Sequence, residues 1–251
     1  MATFTGSDDL QGATFTGVNL HGARIRGSDL SGAVMRGIDI KDADIDAPWL
    51  PDGSLLVNGV DVVPYVEAEL DRRFPGREQR RARDPESLRQ AWRVLQETWG
   101  RTLERAAAMP AGSVDVSVDG EWSFAQTLRH LVMATDTWLG RTVLEREQPY
   151  HPLALADASA EEEGLDMSVF TTETPTYDEV LAARAERVGM VTEFLSSVTD
   201  DDLEAPRKNP WAPDHPETTR SCLHVILEEE WEHHRYAVRD LDTIERGVAA
   251  S

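Results

Sequence analysis

The sequence has little of what marks secreted, membrane-embedded or redox proteins. Its 251 residues include one cysteine, Cys222, so no disulfide forms within the chain. No run approaches the roughly 18 apolar residues of a membrane span. The start of the chain lacks the basic-then-apolar order of a secretory signal. These absences predict a soluble, cytoplasmic protein without a membrane role.

Basic residues are also scarce in comparison with acidic ones. The chain has 25 lysines and arginines against 46 aspartates and glutamates, a formal charge of −21. A surface of this charge repels nucleic-acid phosphates and anionic lipids, which excludes both as main partners. The sequence also lacks a phosphate-cradling glycine loop, a nucleophile elbow and a CxxC pair. It therefore predicts neither a nucleotide-binding enzyme nor a serine hydrolase of the elbow type.

The first fifty residues contain apolar residues that recur every five positions. A helix has a period of 3.6 and a flat strand a period of 2, so neither fits. Glycine stands two positions after the apolar residue in six of the eight units, and the residue two positions before it is mostly small. The apolar residues at this spacing are Leu10, Phe15, Leu20, Ile25, Leu30, Met35, Ile40 and Ile45.

In its units SDLSG, ARIRG and ADI, this segment resembles the pentapeptide-repeat family. The resemblance implies a right-handed β-solenoid over residues 1–47, called the repeat segment below, with the central apolar side chains in its interior. Eight units make about two coils, which is short for an independent domain. We expect the segment to lean on the rest of the protein or on a second copy, as a homodimer. Its net charge is −3, with −18 beyond it, so the DNA mimicry of some family members is not expected.

Residues 48–83 form a connector of different composition. Asn58 and Gly59 lie between two β-prone triplets, which predicts a small hairpin with a type I′ turn. The sequence PYVEAELDRRF then predicts a short helix. Six arginines follow between residues 72 and 83, either as an anion site or, as we expect, as a solvated segment paired with the chain's own acidic surface.

The period becomes helical from Asp84 onward, which predicts a second domain over residues 84–251. Four long amphipathic segments, separated by loops, favour a four-helix bundle. With the solenoid, the chain is assigned to the α+β class. Capping signals open the four helices at Asp84, at Ser123, at Thr176, and at Thr218 or Thr219.

Two polar residues interrupt the apolar stripe of the last helix. At 100° per residue from Cys222, Glu229 and His233 fall inside that stripe. A carboxylate that faces a core is costly unless it is paired or ligates a metal. A Glu and a His four residues apart stack on one face, as a shared divalent ion or a mutual ion pair requires. Glu230 and His234 fall on the flank of the stripe, whereas His224, Trp231 and Glu232 point away from it.

The segments WSFAQTLRHLVMATDTWL and LEEEWEHHRYAVRDL resemble the metal-binding helices of the DinB/YfiT-like superfamily of thiol-transferase-like four-helix bundles. The resemblance covers roughly residues 84–247. In that superfamily one His of the second helix and an H-x3-H pair of the last helix hold a divalent ion. It implies His130, Glu229 and His233 as ligands here, with Glu replacing the first His of the pair. Glu230 with His234 is the alternative register.

The resemblance also implies a reaction class. Superfamily members with this site use low-molecular-weight thiols such as mycothiol or bacillithiol, isomerise maleylpyruvate, or hydrolyse amides. We therefore expect a metal-dependent thiol S-transferase or related hydrolase acting on a small molecule. Zinc is the expected ion, with nickel or another divalent metal as the alternative. The competing hypothesis is a non-enzymatic interaction protein with a vestigial metal site, in which the repeat segment is a docking surface.

Other polar groups have weaker assignments. Tyr236 and Asp240 continue the inward face of the last helix, as groups that orient a ligand or transfer a proton, or as satisfied core residues. Periodicity alone places His130 on a secondary face of its helix, so its role as a ligand depends on the resemblance. Cys222 is expected to be a buried packing thiol.

Overall fold

The computed structural model describes residues 3–156, 160, 161 and 164–249, with side chains up to residue 247. The chain divides into two compact units, and the boundary lies between Asp46 and Ala47. The connector of residues 48–83 therefore belongs to the same unit as the helices that follow it. In the part of the chain that the structure describes, no helix is long and apolar enough to cross a membrane.

The first unit is a regular succession of turns. Backbone hydrogen bonds recur every ten residues, for example from Ala13 N to Leu10 O at 3.0 Å and from Ala23 N to Leu20 O at 2.9 Å. Six glycines from Gly12 to Gly37 recur every five residues with φ between 52° and 73°. Glycine adopts such left-handed dihedrals without a steric penalty, which explains its position in the repeat.

The predicted solenoid interior is not seen in the first unit. Residues 3–46 contain no helix or strand, and their side chains are all exposed. The central apolar residues from Leu10 to Ile45 are 44 to 63% exposed. The backbone hydrogen bonds described within these residues each span three positions rather than joining one coil to another. A repeat of this kind buries its apolar side only against stacked neighbours, and eight units supply too few of them.

The second unit is mostly helical, with two small antiparallel sheets. Its described part has six α-helices, which are the four longer helices and the short helix α1 predicted from the sequence, together with α5, which was not predicted. The helices are α1 Val63–Arg73, α2 Pro85–Ala108, α3 Phe124–Thr135, α4 Tyr177–Ser197, α5 Asp200–Glu204 and α6 Thr219–Ala249. The strands are β1 Leu56–Val57, β2 Val60–Asp61, β3 Pro206–Lys208 and β4 Pro216–Thr218, paired β1 with β2 and β3 with β4.

Local signals place the ends of these elements as predicted. The Asp84 side chain accepts a hydrogen bond from Ser87 N at the start of α2. Capping boxes open α3 and α4. The β1–β2 hairpin turns at Asn58 and Gly59, with φ of 51° and 82°. The segment before α6, predicted as a loop, instead contains α5 and the β3–β4 hairpin.

The long helices share one apolar core. α3 packs against α4 and α6, and α2 packs against the same two helices. α3 continues into a π-helix at Asp136–Val143, whose Leu139 is fully buried. Other core side chains with no exposed surface are Leu95, Leu128, Leu203, Cys222 and Leu241.

Two of the six arginines between residues 72 and 83, Arg77 and Arg80, are buried, so the prediction that this stretch is solvated was wrong for them, while the other four are exposed as expected. A 3-10 helix at Arg77–Arg81 packs against α6, and the Arg77 side chain is only 2% exposed. Its guanidinium lies 2.9 Å from Glu67, 2.8 Å from Asp71 and 3.3 Å from Glu232. The predicted pairing with the chain's own carboxylates is confirmed.

This packing also corrects the orientation predicted for α6. Trp231 and Glu232 were expected to point away from the core, yet they are 1% and 5% exposed. A helical wheel assumes one covered face, but α6 is covered on a second side by the 3-10 helix. Arg80 adds an ion pair to Glu228 there at 3.3 Å, and Glu228 is itself 2% exposed.

We expect Arg77→Ala to lower the free energy of unfolding by about 3 kcal/mol, because it leaves the buried Glu232 without one of its cations. Urea denaturation followed by tryptophan emission measures this change. Arg72→Ala is the matched control, since that arginine is 72% exposed and pairs with the neighbouring Glu69 on the surface of α1. Equal stability of the two variants would contradict a structural role for the buried pair.

Candidate metal site

The structure brings together three residues that lie far apart in the sequence. α3 contributes His130, while α6 contributes Glu229 and, one turn later, His233. One potential ligand atom from each residue lies within 4.8 Å of the other two. A Glu229 carboxylate oxygen lies 3.5 Å from His130 Nε2 and 3.3 Å from His233 Nδ1. Two imidazoles and one carboxylate form a known donor set for zinc and other divalent ions.

A backbone contact determines which nitrogen of His233 carries its proton. His233 Nδ1 lies 2.9 Å from the Glu229 carbonyl oxygen, which only accepts hydrogen bonds. Nδ1 therefore donates, and Nε2 of the neutral ring keeps its lone pair. Burial, together with the nearby His130, lowers the pKa of His233 to about 4. His233 is thus a neutral imidazole at pH 7, the form that binds metals.

Glu229 is in the complementary state. Burial alone would raise the pKa of this carboxyl, but the contacts with His130 and His233 outweigh burial and hold it below its ordinary value. Glu229 is therefore ionised at neutral pH. His130 Nδ1 is buried and has no hydrogen-bond partner within the described part of the chain. Glu229 and His233 fit a divalent cation, because neither of them needs to lose a proton to bind it.

The alternative pair, Glu230 and His234, lies elsewhere in the core. The guanidinium of Arg184 donates to both carboxylate oxygens of Glu230. His234 Nε2 lies 2.8 Å from the Thr102 hydroxyl. Burial, with a smaller effect of Arg101, lowers the pKa of His234 to about 4. The aromatic rings around His234 are those of Phe74, Trp99 and Trp231.

Glu229 differs from the other carboxylates in its stretch of α6 by the kind of partner it has. Four of the five residues from 228 to 232 are glutamates. Three of them pair with arginines, which are permanently charged, while Glu229 contacts two histidines. The pairs are Glu228 with Arg80 and Arg81, Glu230 with Arg184, and Glu232 with Arg77 and Arg235.

An open cleft of about 280 Å³ adjoins His233. The indole of Trp122 lies against both candidate imidazoles, with ring centroids 4.6 Å from His130 and 6.2 Å from His233. Trp122 was not singled out from the sequence, although it directly precedes the Ser123 cap of α3. The other residues that line the cleft are Gly120, Glu121, Thr127 and Tyr236.

A tight turn sets the position of Trp122. Glu121 N donates to Val118 O at 2.9 Å, and the two residues between them, Asp119 and Gly120, have φ of 53° and 79°. Two consecutive left-handed residues are the pattern of a type I′ turn. The turn leads directly into the capping box of α3, so the indole is placed close to the start of the helix that carries His130.

Tyr236 and Asp240 have different surroundings. Tyr236 lines the cleft, and its ring meets His233 edge-on at 5.7 Å. Asp240 accepts a 2.7 Å hydrogen bond from Arg239 Nε, and the Arg239 guanidinium lies 5.2 Å from the centre of the Tyr236 ring. The three-residue metal cluster does not include Asp240. Asp240 is therefore linked to the cleft indirectly. It binds Arg239, whose guanidinium lies over the ring of Tyr236, and Tyr236 lines the cleft.

Cys222 lies in the core, as predicted. Its side chain has no exposed surface, and burial raises the pKa of the thiol to about 12. A thiol must ionise to act as a nucleophile, so Cys222 is not placed to attack a substrate.

Comparisons with known proteins match both parts of the chain. The family model of the DinB superfamily matches residues 94–237, more than half of the chain. The model of pentapeptide repeats matches residues 9–44, in 8 copies. Neither the comparison with curated proteins nor that with solved structures finds a match.

We expect Cys222 to be almost unreactive in the folded protein. A pKa of about 12 makes its thiolate fraction at neutral pH roughly 1,000-fold smaller than that of an ordinary thiol. Timed reaction with a chromogenic disulfide reagent should therefore label one thiol per chain rapidly in urea and far more slowly in buffer. Rapid labelling of the native protein would show that Cys222 is accessible.

Proposed function

Because the chain belongs to the DinB superfamily, we propose that His130, Glu229 and His233 hold a divalent ion for a thiol S-transferase or a related hydrolase. The superfamily is commonly metal-binding, and the structure brings a possible His/Glu site together. Zinc is our first candidate, with nickel or another divalent metal as the alternative. The substrate is a small molecule, and the thiol is of low molecular weight, as mycothiol and bacillithiol are.

The kind of partner that Glu229 has carries this proposal. Its neighbours at positions 228, 230 and 232 each pair with an arginine, whereas its own contacts are imidazoles, of which His233 is neutral at pH 7. An ionised carboxylate that is largely shielded from water needs a compensating cation. A divalent ion held by the three side chains would supply that charge.

Such an ion, when bound, acidifies a thiol or a water molecule next to it. The residues around it position the substrate. The Glu229 carbonyl oxygen holds the ring of His233 in one tautomer. The indole of Trp122 shields His130 and His233 from solvent, and the cleft beside it admits a small molecule. We assign to Tyr236, which lines this cleft, the orientation of the substrate or the transfer of its proton. Asp240 supports Tyr236 through Arg239.

The finer architecture follows from the same family assignments. α2, α3, α4 and α6 are then the four helices of a DinB-like bundle, with α1 and α5 as additions to it. The repeat segment is a right-handed β-solenoid when its coils have neighbours to stack on. Its regular turns and its left-handed glycines support this proposal.

We expect purified protein from metal-replete growth to bind about one divalent ion per chain. Glu229→Gln and His233→Ala should weaken metal binding by more than about 100-fold, because each removes a ligand. Elemental analysis and competition with a chromogenic chelator measure this loss. The controls are Glu173→Gln and His215→Ala, two exposed residues outside the cluster.

The wild type, the two ligand variants and the two control variants also test the proposed thiol-transfer reaction. The metal-loaded wild type should consume a thiol and an electrophile in equal amounts, as followed by thiol titration, and both ligand variants should lose this activity. Absence of metal binding in the wild type would contradict the metal site. Retained metal without turnover of thiol or amide would favour the competing function, a non-enzymatic interaction protein with a vestigial site.

A further inference from the structure

Taken by itself, the repeat segment exposes an unusual amount of apolar surface. Twelve large apolar side chains between Phe4 and Ile45 are 44 to 73% exposed. At roughly 100 Å² each, the eight that recur every five residues expose on the order of 800 Å², about what one partner contributes to a standard interface. Apolar surface on this scale marks an interaction site rather than ordinary exposure.

The spacing of this surface restricts the partner. The eight central residues recur every five positions, whereas a helix and a flat strand have periods of 3.6 and 2. The side chains of a partner helix or strand therefore stop matching the positions of the repeat after a few residues. A second copy of the same segment has the matching period along its whole length. Repeats of this kind also bury their apolar side against equivalent units.

We propose that the repeat segments of two copies of this chain pair through their central apolar residues and form a dimer. Each copy then supplies the stacked neighbours that two coils by themselves lack. This inference is independent of the metal site, because all the residues that carry it lie before Asp46.

The mass of the full chain in solution tests the proposal. The wild type should sediment at twice the chain mass of 27.9 kDa, and Leu20→Asp with Leu30→Asp should give a monomer. The matched control, His21→Asp with Ser31→Asp, places the same charges one residue further along the same turns and should remain a dimer. All seven tryptophans lie beyond residue 46, so unchanged tryptophan emission shows that the second unit is intact.

A cross-linking experiment distinguishes lost pairing from an unfolded repeat segment. Cys222 is the chain's one cysteine and is buried, so an added surface cysteine reports its own position. With a short thiol cross-linker, Ser31→Cys should give covalent dimers, whereas Ser196→Cys, exposed on α4, should not. A monomeric wild type, a dimer that survives Leu20→Asp with Leu30→Asp, or equal cross-linking at both positions would overturn the proposal.

A separate observation concerns Trp122. Its ring lies against both candidate ligand imidazoles, at interplanar angles of 38° and 21°. A π face favours a ring that has lost electron density, as an imidazole does when it binds a cation. We infer that Trp122 is a positioning residue that favours the metal-bound form of His130 and His233. This inference rests on the metal site proposed above.

We expect Trp122→Ala to weaken zinc binding about 10-fold, a loss typical of residues that orient metal ligands, and Trp122→Phe to restore most of it. Nickel should quench part of the tryptophan emission of the wild type and of Trp211→Phe, whose substitution lies in the β3–β4 loop. Trp122→Phe should lose this quenching. If Trp122→Ala binds zinc as tightly as the wild type, the inference fails while the metal site stands. If the wild type binds no metal, both fail.

Discussion

The fold depends on the burial of four carboxylates within five consecutive residues of α6. Like charges this close are tolerated away from water only if each finds a cation or a hydrogen-bonding partner. The partners come from separate elements: the 3-10 helix at Arg77–Arg81, α4 through Arg184, and α3 through His130. α6 is therefore where the second unit is held together. The segment that resembles a connector in the sequence contributes Arg77 and Arg80 to its interior.

Signals that act within a few residues could be predicted from the sequence. The caps of α2, α3 and α4 and the turn at Asn58 and Gly59 each need only neighbouring side chains or backbone groups. The wheel of α6 also separates Glu229 and His233 from Glu230 and His234. It does not show what packs against each face, because the arginines and the histidine that contact these carboxylates come from segments distant in the sequence. For this reason Trp231 and Glu232 were wrongly placed in solvent.

The same contrast between local signals and contacts from distant segments applies to the candidate site. Glu229 and His233 stand out because a carboxylate and an imidazole interrupt an apolar stripe. His130 has no such signal in its own helix, so it was named from the family resemblance and not from periodicity. Trp122 precedes α3, where no helical period applies. The interior of the repeat segment was predicted but not seen, since a five-residue period indicates which residues recur and not whether a neighbour covers them.

The turn that precedes α3 lies close in the sequence to the other residues of its side of the site. Turn, indole, capping box and His130 all lie within residues 118–130, and Glu229, His233 and Tyr236 lie within residues 229–236. The residues of the candidate centre thus come from two short segments of the sequence. The hundred or so residues between these segments need only hold them at the same relative position. Large changes of loop length and surface are compatible with an unchanged centre, provided that the crossing of α3 with α6 is preserved.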